Sequence, residues 1–297
     1  LVLILVTLLA LIPVLISSRL LSNFITKPVT TMIKTMTEIR KSGTFKRLKV
    51  EGKSKDELFL MGQTFNHMID LLELNFEKQE QFASNASHEL KTPLTIIESY
   101  ASLLKRRGLT EPQLFTESIE AIHSEALRMR EMTEQLLMLA RHHEQWNIEL
   151  KQVNLNQLLN QTVKTFKNAY NREIKFNAEK EIPIFFDSDE KKLKQLLFIF
   201  LDNARKYSDD PISVELGSEN EEIYIKIIDH GIGIQESEIP KVFDRFYRVD
   251  KARSRKQGGS GLGLSIAKEI AEKLGIGLQL ESATGIGTTA TLLFKKV

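Results

Sequence analysis

The chain contains no cysteine. That absence excludes disulfide frameworks, thiol catalysis, Cys-ligated zinc and iron–sulfur clusters together. Proline is scarce, 7 in 297 residues, and glycine stands at 15, which excludes collagen-like and Pro/Gly-rich disordered compositions. There is no excess of one charge either: 41 Lys and Arg meet 39 Asp and Glu, for a formal net charge of +2. A chain-wide nucleic-acid surface would carry a strong basic excess, so no nucleic-acid partner is expected. The length suffices for two or three folded units at about 100–200 residues per domain. It shows no internal repeat and no low-complexity tract.

What is there begins with an apolar run. Leu1 to Ile16 are apolar apart from Thr7 and Pro13, and the first charge is Arg19. Spanning bilayer hydrocarbon takes about 20 such residues, so the run is slightly short, and it opens on Leu rather than Met. Residues 1–16 are therefore expected to be the truncated end of a transmembrane helix, with sequence missing upstream. A secretory signal would need a basic stretch before its apolar core. The competing reading is a buried helix of a soluble core. Arg19, Lys27, Lys34, Arg40, Lys41, Lys46, Arg47 and Lys49 come before any acid other than Glu38. By the positive-inside bias, everything after about residue 17 is expected on the cytoplasmic side of the cell membrane.

Between residues 17 and 70 two helix-length segments flank a polar break. Pro28 opens the first, with Val29, Met32, Ile33 and Met36 at helical spacing; the second carries Leu58, Met61, Phe65, Met68 and Ile69. The intervening K-S-G-T-F-K-R-L-K-V-E-G-K-S reads as an extended connector. With the preceding apolar run and D-E-L-F-L-M-G-Q-T-F-N-H-M, this stretch resembles a HAMP signalling domain. From 71 to 145 the pattern is a helical hairpin, broken at R-R-G-L-T-E-P, with Pro112 opening a second helix to about His142. Its apolar stripe of Phe115, Ile119, Ile122, Ala126, Met129, Met132, Leu136 and Leu139 is of the kind that doubles into a dimeric four-helix bundle. Beyond about residue 150 strands and helices alternate. Helices are expected at Leu155–Phe166, Asp189–Lys206 and Ser260–Leu274. Strands are expected in R-E-I-K-F, I-P-I-F-F-D, I-S-V-E-L, I-Y-I-K-I-I-D, Gly277–Glu281 and Thr288–Phe294.

One histidine sits on the wrong face for packing. Phe82, Ala86, Leu90, Leu94 and Ile97 share a stripe, and His88 lies about 160° from Leu90. Thr92 is one turn along on the same face, Glu89 projects about a quarter turn away, and Pro93 removes a helical N–H just after. An exposed histidine alone would be an ordinary solvated residue. With a neighbouring carboxylate and a hydroxyl, the parts are those of a nitrogen nucleophile, a general base and a group that positions water. The segment F-x-x-x-x-S-H-E-L-K-T-P-L-T, from Phe82 to Thr95, resembles the phosphoacceptor box of histidine kinases. The resemblance implies that His88 accepts a phosphoryl group, that Glu89 acts as base, and that Thr92 holds the position tied to phosphatase activity. His67, His123, His142, His143 and His230 have no such company.

Three glycine-bearing segments follow in order. In I-I-D-H-G-I-G-I, Asp229 ends a strand, where its carboxylate can accept from an exocyclic amine such as adenine's, and Gly231 and Gly233 permit a tight turn. In Q-G-G-S-G-L-G-L-S-I-A-K-E-I, Gly258, Gly259, Gly261 and Gly263 lead into a helix whose first N–H groups attract an anion. No G-K-[ST] follows, so it is not a Walker loop. In T-G-I-G-T-T-A-T-L, Gly285, Gly287 and Thr288 enter the last strand. Between and before them lie L-D-N-A-R-K-Y-S and K-V-F-D-R-F-Y-R. Asn203 offers an amide oxygen for Mg²⁺, Lys206, Arg245 and Arg248 can neutralise a polyphosphate, and Tyr207 can cover a base or ribose, while Phe243 and Phe246 read as core.

The ordered set resembles the ATPase domain of histidine kinases in the GHKL superfamily, expected over 150–297. It implies a Bergerat α/β sandwich binding ATP with Mg²⁺. The family often has a second Asn four residues before Asn203, where this chain has Ile199, which cannot ligate. Residues Lys256 to Gly259, beside a basic R-S-R-K run, read as a nucleotide lid. The expected whole is a membrane-bound, homodimeric sensor histidine kinase that labels its own histidine from ATP, passes the phosphoryl group to an aspartate of a response regulator, and acts as that regulator's phosphatase. The rival readings are a GHKL chaperone or repair clamp, which has no use for S-H-E-L-K-T-P-L-T, and a non-catalytic scaffold suggested by Ile199.

Overall fold

The computed structural model describes residues 2–49, 57–107, 111–140, 148–179, 183–219, 222–249 and 259–294. Residues 50–56 of the expected connector, His142, His143 and the lid residues Lys256 to Gly258 lie outside them. The chain forms two compact units, Leu1–Ser84 and Asn85–Val297.

In the first unit, helix α1 (Val2–Leu21) passes through a π-helical turn (Ser22–Thr26) directly into α2 (Lys27–Ser42). The apolar run and the first helix-length segment are thus one continuous helical run. Pro28 explains the wide turn: it has no N–H to give and its ring crowds the carbonyl four residues back, and the Lys27 N–H reaches Ser22 O instead. Among the described residues no helix is long and apolar enough to cross a membrane. Gly43, at φ 66°, ends α2 by donating to Ile39 O at 2.8 Å. The connector then runs without regular structure to residue 49. It is tied to α3 (Glu57–Arg107), where Asn66 accepts from Leu48 N at 2.7 Å and donates to Leu48 O at 3.0 Å. Arg47 bonds Asp70 and Glu73, and Phe45 meets Phe76 edge-on at 5.9 Å. Phe65 and Ile69 are buried beneath.

The second unit starts with the C-terminal part of α3, ending in Lys105, Arg106 and Arg107, favourable partners for the last carbonyls. Helix α4 (Pro112–Ala140) follows, opened by a proline whose missing N–H costs nothing at that position. The α/β part contains strand β1 (Lys151–Asn154), helix α5 (Leu155–Tyr170), β2 (Ile174–Ala178), β3 (Phe185–Ser188), α6 (Glu190–Tyr207), β4 (Ile212–Glu219), β5 (Glu222–Asp229), a 3₁₀ turn (Glu236–Lys241), α7 (Gly263–Leu274), β6 (Ile276–Ala283) and β7 (Gly287–Phe294). The main sheet has the order β2-β4-β5-β7-β6, with β2–β4 parallel and the other pairs antiparallel. β1 and β3 form a separate antiparallel pair.

Helices α5, α6 and α7 pack side by side on the sheet. On α6, Leu193, Leu196, Leu197, Phe200, Leu201 and Ala204 are buried at three- and four-residue spacing, facing Val214, Ile225, Ile227 and Leu292 of the sheet layer. Each large apolar side chain so enclosed contributes about 1.5–3 kcal/mol. The helix starts at Asp189, which accepts from Lys192 N at 3.0 Å and from Glu149 N at 3.2 Å. Burial would raise the Asp189 carboxyl, but the backbone N–H groups of Lys192, Glu149 and Lys191 outweigh it and hold the group below its ordinary value. This helical stretch followed by an α/β domain with a mixed sheet fits the expected GHKL architecture.

Candidate functional site

The packing of α6 on the sheet brings the glycine segments together. Asn203, Lys206 and Tyr207 lie in the last turns of α6, Asp229 at the end of β5, and Thr288 opposite it in β7. Gly285 N donates to Ile232 O at 2.8 Å, pinning the third glycine segment to the first. These elements enclose a cavity of about 210 Å³ lined by Asn203, Lys206, Tyr207, Asp229, Gly233, Arg248, Gly259, Gly261, Gly263 and Thr288 among others. Its walls include the apolar Ile199, Ile227, Ile232, Leu264 and Leu280. An apolar slot with a few fixed polar groups is the make-up expected of a small-molecule site.

Asp229 is buried, and burial raises its carboxyl against the opposing N–H bonds from Gly231, at 2.9 Å, and Thr288. One acceptor oxygen lining the slot is thus fixed by the backbone. Also in the lining, α7 begins at Gly263 with no side-chain cap, leaving first-turn N–H groups that suit an anionic ligand. Gly261 has φ 72°, and a Cβ there would run into the backbone of Phe246 at under 3 Å. Gly261 O in turn accepts from Phe246 N at 2.8 Å. Phe246 itself has φ 64°, a strained value for an aromatic residue, so it is a backbone pivot and half-buried rather than the core residue expected.

The remaining predicted residues are distributed as follows. Gly231, Gly285 and Gly287 shape the turns behind the slot without lining it, and a Cβ on Gly287 would overlap the backbone of Asp229 and His230. Lys206 is paired with Asp202 at 2.7 Å, and Arg245 with Glu269 of α7 at 2.6 Å, outside the lining. Arg248 lines the cavity and bonds Glu89 of α3 at 2.8 Å. His88 and Thr92 are exposed on α3, with Thr92 Oγ1 3.5 Å from His88 O, while Pro93 is buried. His67, His123 and His230 are exposed too.

Two of the polar lining side chains outside the expected set are Tyr247 and Gln135. Tyr247, whose hydroxyl donates to Glu238, stands between Phe246 and Arg248 in a motif already quoted, so its aromatic ring was the available signal. Gln135 enters from α4, and Ser260 Oγ donates to its Oε1 at 2.8 Å. Nothing in a helical pattern marks one polar position for that contact.

The Asn203 side-chain nitrogen is fully buried and has no partner among the described residues, although the residue lines the cavity. That NH2 is a donor suited to a phosphate oxygen, and the amide oxygen is the atom of this residue that fits a cation such as Mg²⁺. Ile199, on the same helix, contributes only a methyl-lined wall.

Three family models match the chain in order: "HAMP domain" over residues 20–73, "His Kinase A (phospho-acceptor) domain" over 78–145, and "Histidine kinase-, DNA gyrase B-, and HSP90-like ATPase" over 188–297. Among curated relatives, the sensor histidine kinase YkoH of Bacillus subtilis is 47% identical over 280 residues, 94% of this chain and 62% of the relative. The signal transduction histidine-protein kinase ArlS of Staphylococcus haemolyticus is 37% identical over 284 residues, again 94% of this chain and 62% of the relative. The chain thus spans about three fifths of the length of these relatives. Among solved structures, the histidine kinase ThkA in complex with the response regulator protein TrrA aligns over 76% of this chain and 66% of that one, with a TM-score of 0.60 at 20% identity. Acinetobacter baumannii histidine kinase AdeS aligns over 70% of this chain and 97% of its own, with a TM-score of 0.54 at 20% identity. At that identity the likeness is one of fold.

Proposed function

Since the chain belongs to the sensor histidine kinases of two-component systems, a family of ATP-dependent histidine kinases, we propose that it labels His88 from ATP and passes the phosphoryl group to an aspartate of a response regulator. The observation that carries this reading is a single compact unit holding both an exposed His88 with Glu89 beside it and a slot lined by Asn203, Lys206, Asp229 and the glycine backbone. HAMP and phosphoacceptor domains ahead of the ATPase leave no role for the chaperone-type clamp.

Adenine enters against Ile227 and Leu280, its amine donating to Asp229, while the phosphates lie toward Gly259, Gly261 and the start of α7. Asn203 would hold Mg²⁺, which neutralises phosphate charge when bound. A ring nitrogen of His88 attacks the γ-phosphorus with its lone pair. The bond to the β–γ bridging oxygen breaks, its electrons leaving with ADP, and the proton of the other ring nitrogen passes to Glu89. Thr92, on the same exposed face, orients water toward a regulator's phospho-aspartate.

A homodimer is supported by Phe115, Ile119 and Leu94, which stand 49, 46 and 47% exposed in the single chain although they belong to the apolar stripes of α3 and α4. The exposed apolar residues of α1, Leu9 to Ile16, together with the basic residues that follow, support a membrane anchor with the later residues on the cytoplasmic side. Incubation with γ-labelled ATP and magnesium tests the central claim. Acid-labile, base-stable label on His88 is the expected result, and ATP binding without such label would favour the scaffold reading that Ile199 motivates.

A further inference from the structure

Arg248 serves two sites. Its side chain, 5% exposed, donates from Nη2 to Glu89 Oε2 at 2.8 Å, and the residue also lines the nucleotide cavity. Its Nε is buried without a hydrogen-bond partner among the described residues. An enclosed guanidinium with an unmet donor is incompletely satisfied by one carboxylate, and its planar fork suits a phosphate that can take two of its N–H groups at once. Meanwhile the carboxylate assigned to receive the imidazole proton is bonded to the catalytic domain. The second glycine segment is tied to the helices as well, because Ser260, between Gly259 and Gly261, bonds Gln135 of α4. Gln195 of α6 donates to Met138 Sδ on α4 at 3.3 Å. The helices therefore hold the domain at three places, two of which, Arg248 and Ser260, line the cavity that ATP has to fill.

We propose that Glu89 and the phosphates of ATP compete for Arg248, so that the Glu89–Arg248 pair is a clasp opened by the nucleotide. With the cavity empty, Arg248 occupies Glu89 and keeps the base from its proton. With triphosphate present, the guanidinium turns to the phosphate and Glu89 is released beside His88. The base becomes available only when there is a phosphoryl group for His88 to accept, and one of the ties between the domain and the helices is broken at the same moment. This rests on the kinase reading of the cavity given above.

Competition predicts an affinity that labelling alone would not reveal. A clasped population lowers apparent ATP affinity in proportion to the fraction it occupies. ATP with magnesium is titrated against a fluorescent ribose-substituted ATP on the whole chain and on Glu89→Gln, Arg248→Ala and the double variant. Glu89→Gln keeps the side-chain shape and removes the charge, and it should tighten ATP by about threefold or more. The same substitution should have no effect on ATP in the Arg248→Ala background, and none on adenosine in any background. Equal ATP affinity of parent and Glu89→Gln, or a gain that persists without Arg248, overturns the clasp while leaving the kinase assignment standing. Failure of the parent to bind ATP at all overturns both.

Discussion

Asp229 and Thr288 are cross-strand partners in the β5–β7 pair, and the Thr288 backbone and Gly231 N–H both bond the Asp229 carboxylate. The strand register therefore fixes the buried acid of the slot, at the price of burying it. Burial raises its carboxyl more than the two N–H groups lower it. A carboxylate raised in the folded state gives stability that is complete below its unfolded value and is lost as pH rises through the folded one.

At neutral pH the ionised Asp229 should accordingly be a stability cost retained for binding. Asp229→Asn should raise the melting temperature at neutral pH relative to the parent, and that gain should shrink as the pH is lowered into the carboxyl range. ATP affinity of the parent should fall on acidification at a higher pH than an unshifted Asp, of about 3.9, would give, and the fall should be absent from Asp229→Asn. Thermal melts and ATP titrations across the acid range measure both. A parent affinity that stays flat until the ordinary carboxyl value would remove Asp229 from adenine recognition.

His88→Gln should abolish self-labelling while nucleotide binding stays close to that of the parent, because His88 is on α3 and does not line the cavity. Labelling is read after base treatment, which phosphohistidine survives. Label retained in the variant would send the acceptor elsewhere.

Gly261→Ala should destabilise the chain by about 1–2 kcal/mol from the left-handed backbone alone, and further because the backbone of Phe246 occupies the position of the new methyl. Asn203→Asp should instead leave the melting temperature near the parent's and weaken magnesium-dependent ATP use. Comparing unfolding midpoints with turnover separates the two causes. Parent-like turnover in both variants would relocate the site.

Thr92→Ala should slow loss of phosphate from the cognate regulator far more than it slows labelling of His88, since forward transfer uses the imidazole and Glu89 but not a water held by Thr92. The measurement needs a regulator that takes phosphate rapidly from the purified kinase. Dephosphorylation at the parent rate would reduce Thr92 to a surface residue of α3.

Much of this was legible in sequence because it is local. The three- and four-residue spacing on α6 and the alternation in β4 and β5 announced their elements, and the glycines announced turns. Strand β1 was not anticipated: it has four residues, of which only Val153 is buried, and it exists through pairing with β3 some thirty residues on. The 3₁₀ turn at Glu236–Lys241 carries Pro240 and offers no helical stripe. The site followed the same division. Asp229, Asn203 and the glycines stand in recognisable strings, whereas Gln135 reaches the cavity only because α4 lies against α7, a long-range fact with no periodicity of its own. The left-handed turn at Phe246 likewise depends on its bond to Gly261.

The Asn66 amide satisfies both backbone groups of Leu48, as a neighbouring strand would, but over one residue only. Because the partner is a helix, advancing the connector by one position along α3 would carry the matching side chain about 100° around the axis and out of reach. A strand pairing tolerates sliding in steps of two; this one tolerates no step at all. The pair of bonds acts as a vernier on the rotational phase of α3, and any twist of that helix relative to the connector has to break both bonds together.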